Sequence, residues 1–117
     1  MSAVTYQKLF EPSLLTTGAA TIYTVPSGSV AGTVLRNMVI RVTNYSTATR
    51  STTLYAVPSG GSVSDTNAFA NASAIPVNDY VDFQVPLLEA GGALQALADQ
   101  NAALNIQFIS GNLYTPG

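Results

Sequence analysis

Turn-forming residues interrupt this chain at short, fairly regular intervals: Pro26-Ser27-Gly28, Pro58-Ser59-Gly60-Gly61, Asn78-Asp79 and Gly91-Gly92. The runs between them are rich in Val, Ile, Thr, Tyr and Phe, whereas the helix-favouring Glu, Lys and Arg are scarce. β-Branched and aromatic side chains fit a pleated, half-buried surface. Short strands at such spacing are the pattern of an all-β sandwich or barrel. With 117 residues the chain has the length of one domain, large enough to bury a core without covalent staples.

Period-two alternation places the strands. Residues 3–10 predict a weak first strand or an arm, and residues 20–25 a strand that stops at Pro26. The strongest strand covers 33–43, with Val34, Met38, Ile40 and Val42 on one face and Arg36 interrupting it. That face is expected to point to the core, leaving Arg41 towards solvent or a partner. A polar loop, 44–50, leads to a strand at 52–57. Residues 62–73, rich in Ser, Asp, Asn and Ala, show no clear period and predict a long loop, which in a compact domain is usually functional or covered. Residues 74–77 form a short strand that Pro76 assigns to a sheet edge. Val81, Phe83 and Val85 alternate with Asp82 and Gln84 in the next strand, 80–85. Residues 87–90 read as a strand end, Gly91-Gly92 as a turn, and 93–98 as a strand. A short helix over 92–101 is the alternative, disfavoured by about 1 kcal/mol for a helical glycine. The last strand is 103–110, and 111–117 is a tail.

One phrase occurs twice. Thr21-Ile-Tyr-Thr-Val-Pro-Ser-Gly-Ser returns as Thr53-Leu-Tyr-Ala-Val-Pro-Ser-Gly-Gly. Proline withdraws a ladder donor where the strand ends, and glycine admits the positive φ of the turn. Either one strand-to-turn device is used twice, or the two strands are equivalent members of facing or adjacent hairpins. Two copies are too few for a solenoid or propeller.

The chemistry open to the chain is narrow. It has no cysteine and no histidine, which excludes disulfides, thiolate sites and the commonest general base and metal ligand. Serine and threonine therefore have no histidine partner, and the single lysine, Lys8, lies in the N-terminal segment. Asp65 and Asn67 match the first two spacings of a calcium loop, but the glycine and the bidentate glutamate are missing. The expectation is no enzyme, no cofactor and no metal. Four cations, Lys8, Arg36, Arg41 and Arg50, are too few and too scattered for a nucleic-acid footprint. No apolar run approaches the roughly 18 residues of a membrane-spanning helix, and Met1 to Gln7 shows no secretory pattern.

Low charge also has a positive reading. Only 9% of the residues are charged, against about 25% in ordinary domains, as suits a chain covered by neighbours in an assembly; the alternative is a monomer with a hydroxyl-rich β surface. Candidate contacts are the aromatic residues of the terminal segments, Tyr6, Phe10 and Tyr114, for which packing on the subunit's own sandwich is the alternative, together with Arg41 and, in the 62–73 loop, Asp65 and Phe69. Asn44-Tyr45-Ser46 and Asn71-Ala72-Ser73 match glycosylation sequons, a common chance match.

Residues 20–110 resemble small β-sandwich virion structural proteins of tailed bacteriophages. The resemblance runs through Thr-Ile-Tyr-Thr-Val-Pro-Ser-Gly, the long strand ending Val42-Thr43-Asn44, the second Tyr-Ala-Val-Pro-Ser-Gly-Gly, Ile75-Pro-Val-Asn-Asp and Leu87-Leu-Glu-Ala-Gly-Gly. Gly92 departs from the pattern, which commonly has an acidic residue there. The resemblance implies an antiparallel, jelly-roll-like sandwich of about eight strands, with residues 1–14 as an arm or edge strand and 15–117 as the single domain. It further implies a capsid decoration or cement subunit on the virion surface. Such a subunit would be a homo-oligomer, the trimer favoured, partnered by the major capsid protein and by neither nucleic acid nor membrane. The alternative is a tail or fibre module that binds a receptor or carbohydrate. The resemblance carries no catalytic residues.

Overall fold

A computed structural model describes residues 3–5, 7–27 and 32–116, and these form an all-β sandwich of two antiparallel sheets. Ten strands follow in order: β1 (Ala3–Thr5), β2 (Ser13–Leu14), β3 (Ala20–Thr24), β4 (Val34–Asn44), β5 (Arg50–Val57), β6 (Ala68–Ile75), β7 (Tyr80–Gln84), β8 (Leu88–Glu89), β9 (Ala93–Ala98) and β10 (Leu104–Thr115). One sheet has the order β1-β10-β4-β7, with β2 also on β10 and β8 also on β4; the other runs β3-β9-β5-β6. β1 and β2 thus share one edge position, as do β7 and β8. Eight strand positions remain, and their order within the two sheets is that of a jelly roll.

The core lies between the sheets. Met38, Ile40 and Val42 of β4 and Leu104 and Ile106 of β10 meet Leu54 of β5 and Leu94 of β9, all fully buried. Ile75 of β6 and Val25, just beyond β3, close the sides.

Alternation breaks once within β4. Leu35, and not Val34, is buried beside Met38. Two compensating irregularities produce the switch: β10 carries an extra residue at Ile109, and β4 carries one between Arg36 and Val39, where Asn37 has φ +57°. Bulges of this kind leave one residue unpaired and reverse the parity beyond it. Gly111 sits at the same place, where a Cβ would lie 3.0 Å from the Met38 Cα. The reversal sends Arg36 outward, so it no longer interrupts the core face.

Two expectations are corrected here. Residues 62–73 are not one long loop, because β6 begins at Ala68. Its period was hidden by two extra residues opposite Thr52–Tyr55 and by alanines, which give little polar contrast. Residues 111–117 are not a tail, since β10 continues to Thr115. Leu113 and Tyr114 face Leu35 and Val34 on one side and Thr5 and Val4 on the other. No helix forms among the described residues; 93–98 is strand β9, entered through Gly91 at φ +82°. β6 is the edge strand that Pro76 implied.

The repeated phrase now has a place. β3 and β5 flank β9, each antiparallel to it, and so run in the same direction. Gln95 faces Thr21 on one side and Tyr55 on the other, and a bulge at Ile22 shifts the copies out of register by one residue at their ends. The copies are neighbours of one strand, β9; β5 also pairs with the strand that follows it, β6, whereas β3 pairs with β9 alone. Both end in a buried valine, Val25 and Val57. The serines that follow, Ser27 and Ser59, flank Gly91.

Candidate functional site

Among the described residues, no group of three or more Asp or Glu side chains could hold a metal ion. A groove of about 460 Å3 is lined by Arg36, Asn37, Gln84, Val85, Pro86 and Leu87. A second, of about the same volume, lies among Ala56, Pro58, Asn67, Phe69, Pro86 and Leu87. Neither holds a carboxylate, so neither offers the paired acid and base that hydrolytic chemistry needs. What the fold displays is surface.

The more distinctive surface is the outer face of the β1-β10-β4-β7 sheet. Inward residues alternate with outward ones, so the register defines rows across the strands. One row runs Leu14, Asn105, Thr43, Tyr80; the next holds Gln107, Arg41 and Asp82. Beyond the bulge, Val4, Tyr114, Val34 and Glu89 form another. Leu14, Tyr80, Ile109 and Val4 are exposed there.

Arg41 organises the middle of this face. Its Nε donates to Asp82 Oδ1 at 2.7 Å and its Nη2 to Oδ2 at 3.0 Å, a bidentate pair across β4 and β7. The guanidinium also lies 3.8 Å from the centroid of the Tyr80 ring. Arg36 repeats the motif at 5.2 Å over Tyr114. A planar cation can satisfy a carboxylate through its edge and an aromatic through its face. The hydrogen bonds from Arg41 hold the Asp82 carboxyl below the usual aspartate range, and the same contact raises Arg41. Because the folded value of Asp82 is depressed, its stabilising contribution is present above the unfolded value and is lost as pH falls through the folded one. The pair is exposed, so the effect is small. Thermal melts of Asp82→Asn and the parent are expected to differ slightly at neutral pH. They should converge below the ordinary aspartate range near about pH 4; a gap that widens in acid would contradict the pairing.

The residues singled out from the sequence do not converge. Tyr6 lies outside the described residues. Phe10 is half-buried and packs edge-on against Phe108, ring centroids 5.7 Å apart, on its own sandwich. Tyr114 is in strand β10 beneath Arg36. Asp65 is exposed in the turn before β6, and Phe69 is half-buried against the core at the edge of the second groove. Arg41 and Tyr114 share the outer face, which also exposes Leu14, Tyr80 and Ile109. Tyr80 was legible as the outward partner of Asp82 by parity. Leu14 and Ile109 were not, because their exposure depends on pairing and on the bulge. Of the two sequons, Asn44 is fully buried, whereas Asn71 is exposed on β6.

The described geometry is that of a jelly-roll sandwich. No protein-family model and no curated protein matches the chain. Among solved structures it is similar in fold to a protein of Bacillus endospore appendages, described as disulfide-linked pili, at 10% identity and TM-score 0.55, covering 98% of this chain and 89% of that one. It is similar also to a chain of infectious bursal disease virus, Gt strain, at 10% identity and TM-score 0.50. That match covers 97% of this chain and 32% of the viral one, so the present chain spans about a third of that relative. A cyanophage Pam1 capsid chain aligns at 20% identity and TM-score 0.38, over 98% of this chain and 85% of that one.

Proposed function

We propose that this chain is a structural subunit of a virus particle, a capsid decoration or cement protein on the outer surface of the assembled head. In this reading it acts as a homo-oligomer, the trimer favoured, and bridges neighbouring major capsid subunits. The observation that carries the proposal is a jelly-roll sandwich whose outer sheet face carries no net charge and exposes apolar side chains. The likeness to a virus chain and to a pilus protein supports the broader part, membership of a multi-copy assembly. The pilus relatives are described as disulfide-linked, a mode closed to a chain without cysteine, and this favours the particle reading. A subunit that binds only the assembled shell stabilises it by its binding free energy, and several weak contacts on one oligomer multiply.

Purified particles from the source that encodes the chain are expected to carry it in fixed ratio to the shell protein. Particles assembled without it should release their genome at a lower temperature, read by a nucleic-acid dye, and recover when the protein is added back. Particles devoid of the chain, or equally stable with and without it, would refute the proposal.

A further inference from the structure

We propose that copies of this chain associate through the outer face of the β1-β10-β4-β7 sheet, and not by pairing sheet edges. The inference deepens the multi-copy reading above, on which it rests, by assigning the self-contact to one surface.

Edges are the first place to look for self-association, since an unpaired strand offers its backbone to another chain. Each edge of this sandwich is blunted. The β1/β2 edge is interrupted between Thr5 and Ser13, with Pro12 in the gap, and the β7/β8 edge is broken at Val85-Pro86-Leu87. β7 itself is five residues long and carries Asp82. β3 is bulged at Ile22, and β6 has two extra residues and a positive φ, +47°, at Ala72. Bulges and interruptions leave no long regular run for a second strand to copy.

The faces differ from each other. Of the eight exposed large apolar side chains among the described residues, Leu14, Tyr80, Ile109 and Val4 lie on the outer face of the β1-β10-β4-β7 sheet, and the other four lie in loops. The outer face of the β3-β9-β5-β6 sheet has none.

Charge selects the occupant. The chain carries a net charge of −2, so two copies repel overall. On the outer face, Arg41 is closed on Asp82, Arg36 lies over Tyr114, and Glu89 stands opposite Val34. Two positive and two negative charges cancel there. The other four acids, Glu11, Asp65, Asp79 and Asp99, and the two bases, Lys8 and Arg50, lie off this face and hold the whole net charge. A like-charged copy therefore meets least repulsion and most apolar surface on this one face. A basic partner would instead be drawn to the acidic remainder.

The test is sedimentation velocity of the full chain over a concentration series. The wild type is expected to form a reversible oligomer. Leu14→Glu with Tyr80→Glu, which places like charges on both copies, should weaken association at least about tenfold, with circular dichroism showing the same fold. Thr21→Glu with Thr24→Glu on the opposite sheet, and Asn71→Lys on the β6 edge, should leave it intact. The inference is overturned by a wild type that stays monomeric to millimolar concentration. Loss of association in the Thr21/Thr24 or Asn71 variants but not in the Leu14/Tyr80 variant overturns it equally. The particle assay reads the other proposal separately. A wild type that is monomeric in solution yet bound to particles defeats the self-contact and leaves the decoration role standing. An oligomer that the face variant dissolves, absent from particles, does the reverse.

Discussion

Replacing Asn44 with alanine is expected to lower the unfolding free energy by about 2–4 kcal/mol, roughly 10 °C in melting temperature for a domain of this size. The side chain is completely buried at the end of β4. Its Nδ2 donates to the carbonyls of Ala48 at 2.8 Å and Ile75 at 2.9 Å. Its Oδ1 accepts from the Ser46 amide at 2.9 Å and from the Ser46 hydroxyl at 2.7 Å. One amide thereby closes the β4–β5 connection on itself and ties it to the last residue of β6. Truncation removes four hydrogen bonds; the Ser46 hydroxyl can still donate to the Ala48 carbonyl at 3.0 Å, but the buried Ile75 carbonyl and the Ser46 amide lose their partner, the costlier half of the exchange in a buried network. Asn44→Asp gives a further check. Its carboxylate keeps the acceptor but turns a negative charge towards two carbonyl oxygens, so burial and those dipoles raise its folded pKa above the unfolded value. Its destabilisation should grow as pH rises above about 4, opposite in sign to the Asp82 contribution. Urea melts at several pH values read both effects; an Asn44→Ala chain as stable as the parent would show that the network contributes little.

The second large effect is expected at Gly91. Gly91→Ala should cost about 2–3 kcal/mol, because two penalties add. The residue has φ +82°, where a Cβ is disfavoured, and that Cβ would run into the Ser59 hydroxyl and lie 3.0 Å from the Ser59 Cβ. The Gly91 amide also donates to the Val25 carbonyl at 2.9 Å, while the Val25 amide donates to Gly92 at 2.8 Å. Movement to relieve the clash therefore pulls on the β3–β9 ladder. Gly60, at φ +76°, has open space around its missing Cβ. Gly60→Ala should consequently lose only the backbone part, about 1 kcal/mol. Ser59→Gly in the Gly91→Ala background should restore the difference between the two. Equal losses at Gly60 and Gly91 would show that crowding by Ser59 contributes nothing.

These two sites also mark how far the residues could be read alone. Strand formation followed from alternation wherever one face is buried and one is wet, as at Val81-Asp82-Phe83 or Leu104-Asn105-Ile106. Turn positions followed from proline and glycine, whose backbone limits act before any tertiary contact exists. The all-β class, the strand ends at Pro26 and Pro58 and the Gly91-Gly92 turn were therefore local consequences of residue type. So was the lack of histidine and cysteine chemistry.

Local chemistry could not reveal where the pattern slips. β6 was read as loop because two extra residues break its period, and a bulge is tolerated only when a partner strand accepts it. Leu35 replaced Val34 in the core because β4 and β10 deform together around Asn37, Ile109 and Gly111. The same deformation extends β10 through a segment read as a tail. The outer face was likewise invisible, since Leu14, Tyr80 and Tyr114 come to one side of one sheet only through the register of strands far apart in the chain. The repeated Tyr-x-Val-Pro-Ser-Gly was plain in the sequence. Its meaning, two copies flanking β9 with their serines around Gly91, came only with strand order. Residue type determined what each segment tends to be, because backbone preference and alternation are local. Tertiary structure decided which residues meet, because sheet register is set by pairing across the whole chain.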